Sequence, residues 1–174
     1  KIPYTSCNMI ASELTFNKFK CNTYLNSLGY KVPQSNMISD NINYDFPCII
    51  KPACSGSSFG ISKVYNNNEL EKAINEAKKY DQSVIIEQFI SGREVTCAVF
   101  KFHDQVTTLP ITEIISENDI FDYDAKYNGK SREETPADID EEIQKNVKKI
   151  SKNIYKELKL SGIVRIDFII QNES

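Results

Sequence analysis

Two periodicities alternate along the chain and set its elements. Leu14, Phe19, Tyr24, Leu25 and Leu28 give one apolar side to a helix over 11–28, with Gly29 as its C-cap residue. Ile2-Pro3-Tyr4-Thr5 precedes it as a short extended element, and a strand is expected around 36–39, followed by polar turn material over 40–45. Residues 48–51 are an apolar run ending in Lys51; Pro52, lacking an N–H, is expected to stop that ladder. Small residues fill 53–60, and 61–64 is extended again. Asn68 is expected to cap a helix over 69–80, whose buried face is Leu70, Ala73, Ile74 and Ala77. After a turn at Asp81-Gln82, residues 83–90 form a strand rich in β-branched residues.

From Arg93 the period is two. Val95, Cys97 and Val99 point to one side, and Glu94, Thr96 and Ala98 to the other. His103-Asp104-Gln105 turns this strand into a return strand over 106–115. A long polar loop is expected over 116–136, and such length in a small domain marks function or disorder. Asp138 or Asp140 then caps a helix running to Leu158, with Ile143, Val147, Ile150, Ile154 and Leu158 on its packed face. Leu160-Ser161-Gly162 turns into a final strand over 163–170. Long helices lying on sheets of hairpins define an α+β fold, not a doubly wound parallel sheet.

Composition narrows the function. The 174 residues are 40% apolar and 26% charged with a net charge of −3, the profile of a soluble globular chain without the basic stripe of a nucleic-acid binder. No apolar run approaches the roughly 18 residues a membrane span requires. Five cysteines without a C-x-x-C pair speak against zinc and disulfide frameworks and for reduced thiols in the cytoplasm. The one histidine, His103, sits in a turn without a partner for nucleophilic catalysis. A start without methionine and a last strand that leads nowhere suggest a piece of a longer chain.

Four charges and a loop carry the candidate chemistry. Ala53 to Gly60 is Gly/Ser-rich, follows Lys51, and fits an anion nest with a cation at its base. It is neither a G-x-x-x-x-G-K-[ST] loop nor a G-x-G-x-x-G fingerprint. A flexible hairpin loop beside a surface lysine is the alternative. Glu87 interrupts an apolar strand, and Arg165 and Asp167 share one face of the last strand. They form either a structural pair facing solvent or one wall of a polar cleft. Cations for phosphates and carboxylates for Mg²⁺ fit nucleotide-phosphate chemistry.

These stretches, in their order and spacing, resemble the ATP-grasp portion of the D-alanine–D-alanine ligases. The runs are Ile2-Pro3-Tyr4-Thr5 with Ala11-Ser12, Phe16-Asn17-Lys18, Phe46-Pro47-Cys48-Ile49-Ile50-Lys51-Pro52, and Gly56-Ser57-Ser58-Phe59-Gly60. They continue with Val84 through Thr96, Phe121-Asp122-Tyr123-Asp124-Ala125-Lys126-Tyr127, and Gly162-Ile163-Val164-Arg165-Ile166-Asp167-Phe168. The resemblance implies an ATP-grasp fold: a link remnant over 1–12, a small lobe over 13–86 and a truncated large lobe over 87–174, with the nucleotide between the lobes. It implies that Lys18 and Lys51 contact ATP phosphates, and that Ser57, Ser58 and the loop backbone close over them as a lid. Glu87, Gln88, Phe89 and Ile90 would form the adenine linker, with Gln88 standing where many relatives have lysine. Glu94 would hold the ribose, Lys126 and Tyr127 would cover the site, Arg165 would stabilise the transition state, and Asp167 would bind Mg²⁺ (or Mn²⁺).

The implied reaction joins two D-alanines through a D-alanyl phosphate, for peptidoglycan precursors, in a cytoplasmic enzyme that is a homodimer at full length. Ser6-Cys7-Asn8 replaces a Gly-rich turn of many relatives. A glutamate-bearing N-terminal domain and a Glu/Asn metal motif would lie outside this chain, so the isolated piece is expected to be inactive. D-serine or D-lactate as acceptor, or a non-catalytic nucleotide-binding module, are the alternatives; Lys126-Tyr127 favours an amine acceptor.

Overall fold

Two antiparallel four-stranded sheets organise the chain. The computed structural model describes residues 2, 4–38, 45–116 and 131–171, and they fall into two compact units, one spanning Glu13–Ile90 and the other built mainly from 91–115 and 131–171.

The first unit holds β1 (Ser35–Met37), β2 (Cys48–Pro52), β3 (Ser62–Val64) and β4 (Val84–Gln88) in the order β1-β4-β2-β3. One face is apolar: Cys48, Ile50, Val64, Val84 and Ile86 pack on Ala73 and Ala77 of α3 (Asn67–Lys78), with Leu70 and Ile74 beside them. That is the helix face expected from the spacing, but the cap is two residues earlier. Asn66 accepts from Asn68 N, and Glu69 accepts from Tyr65 N at 2.9 Å and from Asn66 Nδ2 at 2.8 Å. Glu69 three residues after Asn66 is the capping-box spacing that singles Asn66 out of three successive asparagines.

The helix expected over 11–28 is two helices, α1 (Met9–Phe16) and α2 (Lys18–Ser27). Asn17 breaks it. Its backbone is extended, its side chain accepts from Lys20 N, and it bridges to Cys54. Asparagine offers the backbone this alternative to continuing the helix. The described residues before α1 form no strand; Ile2 and Tyr4 are exposed. Pro52 does not stop the β2–β4 ladder, for it pairs with Val84, and Ala53 N donates to Ser83 O at 2.8 Å. Successive residues turn their N–H groups to opposite sides, so the missing donor of Pro52 faces β3, whose pairing has already ended at Ile50.

The second unit holds β5 (Arg93–Phe102), β6 (Gln105–Ser116), β7 (Ser131–Glu134) and β8 (Ile163–Ile170) in the order β7-β6-β5-β8. β5 and β8 fall where the alternation put them. The turn between β5 and β6 is two residues, His103 and Asp104, both with positive φ (43° and 65°), the geometry a two-residue hairpin needs. β7 lies inside what reads from sequence as loop. Val95, Cys97 and Ile111 pack with Val147 of α4 (Glu141–Glu157), Ala137 and Ile139. Asp140 caps α4 by accepting from Glu142 N at 2.7 Å. The register slips where Leu109 and Pro110 oppose Ala98, a bulge that accommodates a proline within β6. In the segment before α1, Thr5 and Ser6 lie against the turn before β8: Ser161 Oγ donates to Ser6 O at 3.0 Å.

Candidate functional site

In the first unit, pairing brings together charges that are far apart in sequence. Ile49 and Lys51 of β2, and Ile85 and Glu87 of β4, occupy the sheet face turned away from α3. Lys51 and Glu87 are diagonal neighbours there, within reach of long side chains. Lys51 Nζ bonds Glu87 Oε1 at 2.5 Å, and Asn22 Nδ2 of α2 donates to Glu87 Oε2 at 3.0 Å. Both charged side chains are nearly buried, at 14% and 9% exposure. The pair and Asn22 were not anticipated from sequence. Their signal was one charge in each of two apolar strands, decisive only once the register places both on one face.

Lys18 opens α2, with its N–H bonded to Ala53 O at 2.9 Å and its ammonium to Ser55 O at 2.7 Å. Burial and the neighbouring Lys51 charge lower its pKa. Lys18 and Lys51 thus both bring a cation to the root of the Gly/Ser loop. Ser57 and Ser58 both adopt left-handed backbone (φ 52° and 58°), an arrangement costing roughly 1–3 kcal/mol per residue that occurs in tight turns, as at His103 and Asp104, and at ligand clamps. Gly60 closes the loop at φ 71°, where a Cβ would lie 2.7 Å from Tyr80 Cδ2 and 3.0 Å from Pro52 Cγ. No other residue fits there.

The residues expected as the adenine linker, 87–90, run out of β4. Glu87 contributes its side chain to Lys51, in addition to any backbone role. Gln88 is exposed, with its N–H on Gln34 O at 2.8 Å, and Lys63 Nζ stands 3.7 Å above the Phe89 ring. Ile90 is half-buried beyond the strand.

In the second unit, Glu94, Thr96, Arg165 and Asp167 share the sheet face opposite α4. Arg165 Nε donates to Asp167 Oδ1 at 2.9 Å, and Thr96 Oγ1 to the same oxygen at 2.8 Å. The pair expected as one alternative exists, and its face is open: the side chains are 57% and 48% exposed. Arg165, Thr96, Ala98, Pro110, Thr112 and Glu133 border a hollow of about 290 Å³ at the bulge. Asp167 is a hard oxygen donor suited to Mg²⁺. Among the described residues no three His, Cys, Asp or Glu side chains gather as a metal site, so Asp167 would supply one ligand of a larger set. Lys126 and Tyr127 lie outside the described residues.

Two antiparallel α+β units with these sites define the ATP-grasp class, and solved ligases share the architecture. A D-Ala:D-Ser ligase, VanG from Enterococcus faecalis, superposes with a TM-score of 0.82 at 34% identity, over 97% of this chain and 52% of that one. A D-alanine–D-alanine ligase from Bacillus anthracis solved in complex with ATP superposes at 0.78 with 27% identity, over 98% of this chain and 56% of that one. The family model described as D-ala D-ala ligase C-terminus matches residues 24–174. A D-alanine–D-alanine ligase of Phocaeicola vulgatus is 42% identical over 97% of this chain and 55% of its own length. The chain belongs to the D-alanine–D-alanine ligase family, and it spans about half the length of the curated relatives it matches.

Proposed function

We propose that the whole protein uses Mg-ATP to join two D-alanines through a D-alanyl phosphate, and that this chain supplies its ATP-handling half. The observation that carries the reading is a loop with two left-handed serines whose root holds two lysines: Lys18 Nζ bonds Ser55 O at 2.7 Å, and Lys51 lies near the end of the strand that leads into the loop. Phosphate bound there would offset the burial and the Lys51 charge that lower the Lys18 pKa. Lys18 and Lys51 hold the phosphates, with Ser57, Ser58 and the loop backbone closing over them. Glu87, Gln88, Phe89 and Ile90 frame the adenine, and Glu94 takes the ribose hydroxyls.

Arg165 sets its guanidinium on charge developing at the transferred phosphoryl and at the tetrahedral carbon. Thr96 and Arg165 fix the Asp167 carboxylate. A magnesium ion on Asp167 would neutralise phosphate charge. Tyr127 and Lys126 cover the reactants. The carboxylate of one D-alanine attacks the γ-phosphorus and ADP leaves; the amine of the second then displaces phosphate. The product feeds peptidoglycan synthesis, and the need for ATP and the five free thiols agree with a cytoplasmic setting.

A D-Ser acceptor is kept as a second reading because VanG, which shares this architecture, is a D-Ala:D-Ser ligase. Products formed by the full-length protein from D-alanine with equimolar D-serine decide between them. D-Ala-D-Ala as the main product supports the proposal, and D-Ala-D-Ser as the main product replaces it with the second reading. ATP hydrolysis without any dipeptide refutes both.

A further inference from the structure

Both feet of the Gly/Ser loop stand on one short turn, Tyr80–Ser83, between α3 and β4. At the leading foot, Cys54 N donates to Asp81 Oδ2 at 2.8 Å, and Ala53 N to Ser83 O at 2.8 Å. The other Asp81 oxygen accepts from Ser83 N at 3.0 Å, which fixes the carboxylate within its own turn. At the trailing foot, Phe59 stacks on Tyr80 with ring centroids 5.3 Å apart, and Gly60 leaves no room for a Cβ against that ring. Gly56, between the feet, has nothing within 4 Å of where a Cβ would stand. The feet are clamped to the turn, and between them the loop bonds to itself, Phe59 N donating to Gly56 O at 3.2 Å. The same carboxylate draws on the Lys18 ammonium, which holds Ser55 O.

We infer that Asp81, seconded by Tyr80, is a positioning residue for the phosphate loop: it fixes the Cys54 backbone and, through it, the place of Lys18 and the serines. This rests on the phosphate reading of the loop given above. Asp81 itself touches no reacting atom. Its loss therefore weakens ATP capture while leaving D-alanine handling intact. An amide keeps one of the two acceptor oxygens and carries no charge, so Asp81→Asn reports what a single backbone N–H bond contributes.

The test uses the full-length protein with Asp81→Ala, Asp81→Asn and, as a control on the loop reading, Lys51→Met. Two quantities are read: hydrogen exchange of the peptide covering 53–60 without nucleotide, and KM for ATP and for D-alanine. Asp81→Ala should speed exchange in that peptide and raise KM for ATP roughly tenfold, the lower end of what loss of a supporting partner costs a site. KM for D-alanine should not move, and Asp81→Asn, which keeps one of the two acceptors, should restore only part of the exchange protection. Unchanged exchange in Asp81→Ala overturns the clamp. Faster exchange with an unchanged KM for ATP overturns the positioning role, provided Lys51→Met raises that KM. If Lys51→Met leaves it unchanged as well, the phosphate reading has failed and the inference falls with it.

Discussion

Lys51→Met is the most informative single change in the first unit. It removes the ammonium from a carboxylate that is 9% exposed and leaves Glu87 with only the amide of Asn22, 3.0 Å from its other oxygen. Breaking a buried pair by deleting one partner costs about 3–5 kcal/mol, because the other charge stays buried. The surviving Asn22 bond puts this site at the lower end, near 3 kcal/mol. For a chain of this size that corresponds to a fall in Tm of roughly 6–12 °C. Glu87→Leu strands the Lys51 ammonium and should cost a similar amount. The double variant leaves no buried charge and only one orphaned amide, so it should cost only about 1–2 kcal/mol. Thermal unfolding of the four proteins closes the cycle. The expected coupling is about 4–5 kcal/mol, since two singles near 3 sum to about 6 and the double costs about 1–2. Strict additivity, within about 0.5 kcal/mol, would refute a direct Lys51–Glu87 pair.

Other outcomes follow from the same structure. Gly162→Ala should destabilise markedly, because its Cβ would fall 1.8 Å from Thr5 O at φ 71°; circular dichroism melts check this, and an unchanged Tm counts against the docking of the N-terminal segment. Arg93 holds the Glu113 carboxyl below its ordinary value by a two-pronged hydrogen bond. Because the folded pKa is the lower one, the stabilisation is complete above the usual carboxylate range and is lost as pH falls through the folded value. Glu113→Gln should therefore flatten the acid limb of the stability–pH curve below about pH 4.5 and change its shape little above that. Burial raises the Cys21, Cys48 and Cys97 thiols, so a disulfide reagent at pH 8 should find these three slow in the folded protein and all five reactive in urea.

What the sequence made legible was periodicity. β5 and β8 could be bounded to the residue because alternation is strict where one face is buried against α4 and the other is open. The Asp140 cap and the α3 face were legible for the same reason: each is a local pattern. The rest depended on what lies across space. Asn17 sits in a helical pattern and breaks it because it bridges to Cys54. Pro52 sits in a paired strand because β3 ends early on its open side. β7 has the polar composition of a loop and, among the described strands, pairs with β6 only. Of the candidate site, Lys51, Glu87, Arg165 and Asp167 stood out as charges in unlikely settings, and Lys18 entered only through the family resemblance. Asn22 and Asp81 did not stand out, since an asparagine in a polar helix and an aspartate in a turn are ordinary until a carboxylate or a backbone N–H is placed against them.

The central claim is that the γ-phosphoryl of ATP passes through the carboxylate of D-alanine. Its most direct test is the fate of carboxylate oxygen. D-alanine labelled with ¹⁸O in its carboxyl group, turned over by the full-length protein with Mg-ATP, should deliver one labelled oxygen to each inorganic phosphate released. That oxygen bridges carbon and phosphorus before the second amine displaces phosphate. Dipeptide formed with phosphate free of the label would contradict the account.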